Sequence, residues 1–323
     1  MVASVRVHKV GGPEVLTFED IDVGAPGPGQ IRIKQYACGI NYIDVYFRTG
    51  LYPAPMPFVA GSEGAGEVTA VGPDVKDFKV GDRVAYVVGM GGYAAERLLP
   101  AERVVPLPAG ITYEQAAGMM LKGMTVQYLL RRTYEVKSGS TVLIHAAAGG
   151  IGLIASQWAK SLGATVIGTV GSKDKAKLAR EAGCDHVILY RDEDFVARVK
   201  DVTGGRLCDV VYDGVGKATF PGSLDCLRPL GLFVSFGNAS GPVESFNLGL
   251  LSQKGSLYVT RPTLNTYTAK HEDLIATAND LFTMVSSGKV KIPINQTYAL
   301  KDAAKAHRDL ENRATVGASI LVP

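Results

Sequence analysis

The run Thr141-Val-Leu-Ile-His-Ala-Ala-Ala-Gly-Gly-Ile-Gly-Leu-Ile-Ala155 constrains this chain more than any other. It reads as a short buried strand, a tight glycine turn and a helix opening at Gly150 or Ile151. A helix start presents unpaired N–H groups and a partial positive charge. Glycines there let a pyrophosphate approach the main chain. The turn is a variant of G-x-G-x-x-G, with Ala147, Gly149 and Gly152 at the three glycine positions. Alanine at the first position departs from the pattern. In a chain with 38 Gly, glycine spacing alone would count for little. The strand before and the helix after supply the context that a dinucleotide site requires.

The following strand indicates which dinucleotide. It is expected over residues 164–170 and ends at Gly171 and Ser172, followed by Lys173, Lys175 and Lys177. A fold that prefers NAD places Asp or Glu there to bind the ribose 2′-hydroxyl. Here no carboxylate repels a 2′-phosphate, and hydroxyl and ammonium donors are at hand. Charge-assisted bonds to phosphate are strong. Ser172 and Lys177 are therefore assigned to the phosphate, and Lys173 and Lys175 to a solvated helix face. The expected cofactor is NADPH.

Bulk properties suit a two-domain enzyme in a reducing cytoplasm. The 323 residues exceed what one small core needs. The net charge of +3 is too small to argue for nucleic acid. The four cysteines, Cys38, Cys184, Cys208 and Cys226, lack the C-x-x-C spacing of a metal or redox site. The N-terminus lacks the pattern of a secretory signal, and no apolar run reaches the length of a membrane span.

Residues 1–124 read mostly as short strands and turns, as at 30–36, 66–71 and 82–87, divided by Pro and Gly clusters. Residues 114–132 carry apolar side chains at helical spacing. Strands are then expected at 141–145, 165–170, 186–190, 210–213, 232–236 and 257–260, alternating with helices such as 173–182 and 195–203. Six strands with crossover helices imply an α/β fold with a doubly wound parallel sheet. A helix near 272–287, strands at 297–300 and 318–322 and a helix at 301–310 follow. The expected layout is a dinucleotide-binding domain, residues 125–262, inserted into a β-rich domain of residues 1–124 and 263–323.

Six ordered stretches carry a resemblance over essentially the whole chain. They are Ala37-Cys-Gly-Ile-Asn-Tyr-Ile-Asp44, Leu121-Lys-Gly-Met-Thr-Val126, His145-Ala-Ala-Ala-Gly-Gly-Ile-Gly152, Val234-Ser-Phe-Gly-Asn238, Lys254-Gly-Ser-Leu-Tyr-Val-Thr-Arg-Pro262 and Glu311-Asn-Arg-Ala-Thr315. The chain resembles the zinc-free, NADPH-dependent quinone oxidoreductases, the ζ-crystallin-like branch of the medium-chain dehydrogenase/reductase superfamily. The resemblance implies a Rossmann domain within a GroES-like domain. Zinc alcohol dehydrogenases of that superfamily place a ligand Cys where this chain has Asn41 and a ligand His where it has Ser62. Their cysteine-rich structural lobe has no counterpart in residues 86–103. Zinc needs three or four ligands at short range. The expectation is no metal, and a substrate whose activated carbonyl or alkene accepts hydride without a Lewis acid.

The resemblance also supplies site residues. Gly149, Gly150, Ile151 and Gly152 form the phosphate turn. The resemblance adds Tyr190 to Gly171, Ser172 and Lys177 at the 2′-phosphate pocket; an ordinary edge tyrosine is the alternative. Gly214, Val215, Phe236 and Gly237 contact ribose and nicotinamide, joined by Val259 and by Thr125, for which helix packing is the alternative. Arg313 matches an arginine near the adenine and phosphate end; a surface role is the alternative. On the substrate side, Asn41 donates to the carboxamide or the acceptor oxygen. Tyr46 and Tyr52 wall a flat pocket or relay a proton, unless both are turn residues flanking Pro53. A phenol with a pKa near 10 is a reluctant donor unless perturbed.

The function so implied is NADPH-dependent reduction of quinones. One alternative is an NADPH-dependent enone or enoyl-thioester reductase. Another, of a different class, is a nucleic-acid-binding or structural crystallin-like role. A homodimer is expected through an edge strand near residues 256–260, since a bare apolar edge invites aggregation.

Overall fold

A computed structural model describes all residues, 1–323. By its internal contacts the chain divides into two compact units. One contains both termini and comprises Met1–Met124, Thr268–Ser286 and Ile292–Pro323; the other comprises Thr125–Tyr267 and Ser287–Lys291. The return to the terminal unit thus comes at Thr268, later than residue 263. The reason is local: Tyr267 stacks on Tyr128 with ring centroids 4.4 Å apart and so stays with the inserted unit.

In chain order the terminal unit begins with β1 (Val2–Val7), β2 (Leu16–Ile21), β3 (Gln30–Gly39), α1 (Tyr42–Thr49), β4 (Phe58–Val59), β5 (Glu63–Val71), β6 (Arg83–Val87), β7 (Glu96–Pro100) and β8 (Val104–Pro106). Helix α2 (Tyr113–Tyr128) then crosses the division at Met124 and continues as a π-turn, Leu129–Thr133. Strand β3 shows how the sheet forms. Its side chains alternate, with Ile31, Ile33, Gln35 and Ala37 inward, the period of a strand with one face in the core. The inward Gln35 is a polar exception, and it is fully used. Its Nε2 donates to Gly92 O and Ala94 O, and its Oε1 accepts from the Tyr86 hydroxyl.

The inserted unit contains β9 (Thr141–Ile144), α3 (Gly150–Ser161), β10 (Thr165–Val170), α4 (Lys173–Glu181), β11 (His186–Leu189), α5 (Phe195–Val202), β12 (Cys208–Asp213), α6 (Phe220–Asp225), β13 (Leu227–Ser235), α7 (Gly249–Gln253), β14 (Tyr258–Thr260) and α8 (Leu264–Tyr267). Its six strands pair in parallel in the order β11-β10-β9-β12-β13-β14. This is the doubly wound order, whose ligand site lies at the carboxyl ends of the strands where the order reverses. Two helices start on side-chain caps: Ser172 Oγ accepts from Lys175 N, and Asp194 accepts from Val196 N and Ala197 N.

The chain returns to the terminal unit with α9 (His271–Ser286), β15 (Ile294–Ala299), α10 (Ala303–Glu311) and β16 (Ala318–Val322). Strand β16 pairs antiparallel with β3 and parallel with β15, so the returning chain extends the seven-stranded sheet that holds β3, β5 and β6. No helix is long and apolar enough to cross a membrane.

Helix α1 is the main departure from the sequence reading, which placed residues 42–49 among strands and turns. Aromatic and β-branched residues favour strand locally, but the ends are helical. Asn41 and Asp44 form a reciprocal capping box, and Gly50 closes the helix at φ +80°. That Asn-x-x-Asp spacing followed by a glycine was the available signal.

Candidate active site

The phosphate turn of the inserted unit is a main-chain cradle. Gly149 is extended and caps α3, leaving the first N–H groups of the helix without helical partners. A Cβ on Gly152 would collide with Ala146 O and stand 2.6 Å from Ala147 Cα. Glycine is therefore required for α3 to start this close to β9. Ala147, the departure from the glycine pattern, has a compensation across the sheet. A Cβ on Gly168 of β10 would lie 2.7 Å from the Ala147 methyl, so Gly168 vacates the space that Ala147 fills.

At the end of β10, Gly171 lies under the ring of Tyr190; a Cβ there would be 2.8 Å from the hydroxyl and 3.5 Å from Arg191 Nε. Gly171, Ser172, Tyr190 and Arg191 are thus gathered at one edge, with no carboxylate in the sequence between Val170 and Lys173. Arg191 was absent from the sequence reading, although it directly follows Tyr190. Lys177, expected at the phosphate, lies on α4. Its side chain is 80% exposed and its ammonium is 4.0 Å from Glu181 Oε1, one turn further along α4. Lys175, two residues nearer the helix start and assigned to a solvated face, is half-buried instead.

The next two strands end in turns that touch. Asp213 Oδ1 accepts from Val215 N and Gly216 N at 2.8 and 2.9 Å and ties down the loop after β12. Asp213 is itself buried in a chain of polar groups: Ser223 Oγ donates to its Oδ2, and His145 bridges Ser223 and Thr169. Burial pushes the His145 pKa down, so its ring serves as a neutral link. A Cβ on Gly214 would be 3.0 Å from the Phe236 ring, and one on Gly237 would be 2.5 Å from Gly214 O. Gly214, Val215, Phe236 and Gly237 are thereby brought together. Val259 lies on the edge strand β14 and is 39% exposed. Thr125 is buried and hydrogen-bonds the Tyr128 phenol.

The substrate-side residues lie in the terminal unit. Tyr46 and Tyr52 meet edge to face, 5.2 Å between centroids, and Tyr52 N donates to Tyr46 O. Their rings are therefore partners across the end of α1 rather than separate turn residues. Arg313 follows α10 in the left-handed region at φ +58°. It lies near enough to Tyr42 to act on that phenol, whose pKa burial raises.

Asn41 belongs to a buried network that the sequence reading did not assemble. Its Nδ2 donates to Glu63 Oε1 at 2.7 Å. Glu63 also accepts from Lys122 Nζ on Oε1 at 3.1 Å and from Leu121 N on Oε2 at 2.6 Å. Beside it, Asp44 accepts from Ser62 Oγ at 2.6 Å, Asn41 N at 2.9 Å and the Tyr93 hydroxyl at 2.9 Å. Tyr93 meets His307, and His307 meets Arg48, which forms a two-pronged pair with Glu311. Burial pushes the Asp44 carboxyl up to about 6, against the pull of these donors. A lysine alone on the apolar run Met119-Met-Leu-Lys-Gly-Met124 was the signal for Lys122.

This donor set does not fit zinc. The groups at positions 41 and 62 are an amide N–H and a hydroxyl, each already given to a carboxylate. An ammonium stands at Glu63, and burial holds the Cys38 thiol protonated, its pKa pushed up to about 12. No group of three or more His, Cys, Asp or Glu side chains is assembled for a metal elsewhere.

Comparison with known proteins adds to this geometry. The alcohol dehydrogenase GroES-like domain family matches residues 27–109, and the zinc-binding dehydrogenase family matches residues 150–278. A quinone oxidoreductase of Pseudomonas aeruginosa is 54% identical over 100% of both chains. A 2-haloacrylate reductase of a Burkholderia species is 44% identical over 100% of this chain and 99% of its own. The crystal structure of Escherichia coli quinone oxidoreductase complexed with NADPH superposes with a TM-score of 0.98 at 51% identity, covering 99% of this chain and 100% of that one.

Proposed function

Because this chain belongs to the quinone oxidoreductase family of the medium-chain dehydrogenase/reductase superfamily, we propose that it reduces quinones with NADPH and without a metal. The observation that carries the reading is the end of β10. A glycine phosphate turn is followed there by a hydroxyl, a tyrosine and cations, with no carboxylate to exclude a 2′-phosphate.

When bound, NADPH supplies the hydride. The chain's residues bind, orient and exclude water. Main-chain N–H groups from Gly149 to Gly152 take the pyrophosphate at the start of α3. Ser172 and Tyr190 take the 2′-phosphate, with Arg191 as the nearer cation and Lys177 as the outer one; Arg313 is assigned to the adenosine end. Gly214, Val215, Phe236, Gly237, Val259 and Thr125 hold ribose and nicotinamide. Asn41, Tyr46 and Tyr52 serve the nicotinamide and the acceptor, the two rings offering faces for a planar quinone. A quinone accepts hydride without a Lewis acid, which agrees with a site whose former ligand positions carry Asn41 and Ser62.

A second reading rests on the 2-haloacrylate reductase of 44% identity: reduction of an activated alkene on the same scaffold. Steady-state oxidation of NADPH with 1,4-benzoquinone, set against enones, 2-chloroacrylate and enoyl thioesters, separates the two. We expect the quinone to give the highest kcat/KM and NADPH to exceed NADH at least about tenfold, the worth of one or two charge-assisted bonds. Activity should survive prolonged chelation. Preference for an alkene, or turnover that chelation abolishes, would overturn the reading.

We further propose a homodimer formed through the free edge of β14, where Tyr258 is 60% and Val259 39% exposed. An open apolar edge is a template for pairing with a second copy. Sedimentation velocity should show twice the mass of the chain, and Tyr258→Lys should shift it towards one. The four buried free thiols suit a reducing cytoplasm.

A further inference from the structure

We infer that Glu63 and Lys122 are positioning residues that set the polarity of the Asn41 carboxamide. The inference rests on the proposed contact of Asn41 with the cofactor. An amide side chain can present either its oxygen or its N–H groups, and rotation about its last bond exchanges them. Here the choice is made by a buried charge. Glu63 is completely buried and its Oε1 faces Asn41, so the amide oxygen would meet a carboxylate if the group turned over. Nδ2 is therefore held towards Glu63, and Oδ1 is turned to the start of α1, where the capping box supplies the Asp44 N–H.

Glu63 is built to keep its charge in that place. It accepts from the Leu121 N–H in the middle of α2, from the Lys122 ammonium and from Asn41, so its buried oxygens are satisfied. Lys122 supplies the neutralising charge from a site where only 8% of its side chain is exposed. A buried carboxylate with no such partner would be costly. Strand β3 makes room for the group: a Cβ on Gly39 would collide with Glu63 Oε1 and Ala117 O. The other charged group acting here, Asp44, is engaged by Ser62, Tyr93 and Asn41 N and does not compete for Nδ2.

The capping box gives one lone pair of the Asn41 amide oxygen to the Asp44 N–H, and the second is the acceptor that Asn41 offers to its ligand. The ligand group it matches is a hydrogen-bond donor. The nicotinamide carboxamide carries an N–H2; a quinone carries only acceptors. Asn41 is thereby assigned to orienting the cofactor's carboxamide, which replaces the two-way assignment drawn from the sequence.

A swap of polar groups tests this, with NADPH and 1,4-benzoquinone as probes. Asn41→Asp sets two carboxylates against each other and should lower kcat/KM for NADPH by about 100-fold. Glu63→Gln alone should lower it about tenfold. In Asn41→Asp combined with Glu63→Gln, the amide and the carboxylate exchange places and an acceptor still faces the ligand. The pair should recover at least about tenfold over Asn41→Asp. Losses that simply multiply would overturn the inference. Glu63→Gln with Lys122→Met removes both buried charges together and protects the fold. It should raise KM for NADPH about tenfold with little change in kcat, because ground-state positioning is lost; an unchanged KM would overturn the inference. The 3-acetylpyridine analogue of NADPH lacks the N–H2, so the penalty of Asn41→Ala should vanish with it; an equal penalty for both cofactors would overturn the inference. Failure of the proposed function looks different. Parent protein would then turn over no quinone, while the swap would still be readable in NADPH affinity by fluorescence titration.

Discussion

The phosphate turn of the inserted unit and the Asn41 network of the terminal unit solve the burial of polar groups in opposite ways. Around the phosphate turn, the working groups are main-chain amides from neighbouring residues, and the side chains there are small or absent. Around Asn41, the working groups are side chains drawn from positions 41, 44, 62, 63, 93, 122 and 307, and each buried carboxylate is met by several donors. The first design depends on space, and the second on charge balance. The first should fail through added atoms, the second through altered protonation.

The largest expected effect tests the space argument. Gly152→Val puts a branched side chain against Ala146 O and Ala147 Cα, where even one carbon does not fit. The start of α3 must move from β9, and the N–H groups move with it. We expect NADPH affinity to fall by at least about 100-fold in calorimetry, and stability to fall by about 1–3 kcal/mol, the usual range for overpacking. Parent affinity in this variant would show that the cradle tolerates displacement. The contrast between the two designs would then be lost.

Protonation in the terminal unit gives the next effect. Asp44 is raised by burial from 3.8 to about 6, and burial together with Arg48 lowers His307 from 6.5 to about 3. Between pH 4 and 6 the folded state retains the Asp44 proton that the unfolded chain has lost, so this group makes stability fall as pH rises. Below pH 6.5 the unfolded chain binds a proton at His307 that the folded state refuses, so this group makes stability fall as pH drops. The two slopes oppose each other between about pH 4 and 6. His307→Gln removes one of them. Relative to the parent, the variant should lose about 1.4 kcal/mol for each unit of rising pH in that window, or about 2–3 kcal/mol in all. Urea melts at pH 4, 5, 6 and 7 measure this, and parallel pH profiles would show that the two groups are not balanced as described.

The aromatic pair comes third, because it draws on neither design. Tyr46 and Tyr52 meet edge to face beside Asn41's helix. If the rings serve a planar acceptor, Tyr52→Phe should leave KM for 1,4-benzoquinone near the parent value. Tyr52→Leu should raise it about tenfold, in line with the loss of an aromatic contact. A Phe variant as impaired as the Leu variant would move the weight to the phenol and to proton transfer.

The same contrast explains what the sequence made legible. A strand, a glycine turn and a helix lie within residues 141–161, so the phosphate cradle could be read as one local pattern, together with the six-stranded parallel sheet around it. Strand alternation in β3 and the return of β16 to the sheet of β3 were legible for the same reason, as regular periods. Helix α1 was hidden because its aromatic and β-branched residues mask a helix announced only at its ends. The Glu63 network was hidden because Asn41, Glu63 and Lys122 come from three separate elements. No periodicity in the chain records that they meet. Ala147 looked like a defect in the motif because its compensation, Gly168, sits on another strand.

The smallest expected effects concern the rim of the 2′-phosphate, where the sequence chose Lys177. That ammonium is 80% exposed and stands 4.0 Å from Glu181, so part of its charge is already answered and solvent screens the rest. Arg191 lies against Gly171 and Tyr190, and its planar fork matches phosphate oxygens. Arg191→Ala should weaken NADPH about tenfold and leave NADH unchanged, whereas Lys177→Ala should weaken NADPH only about twofold. Paired titrations of both coenzymes at low and moderate salt separate the cases. A larger loss from Lys177→Ala would restore the choice made from the sequence, and would mean that the ammonium leaves Glu181 when the phosphate arrives. Equal losses of NADPH and NADH for either variant would remove that residue from the rim, since a group that reads the 2′-phosphate has nothing to hold in NADH.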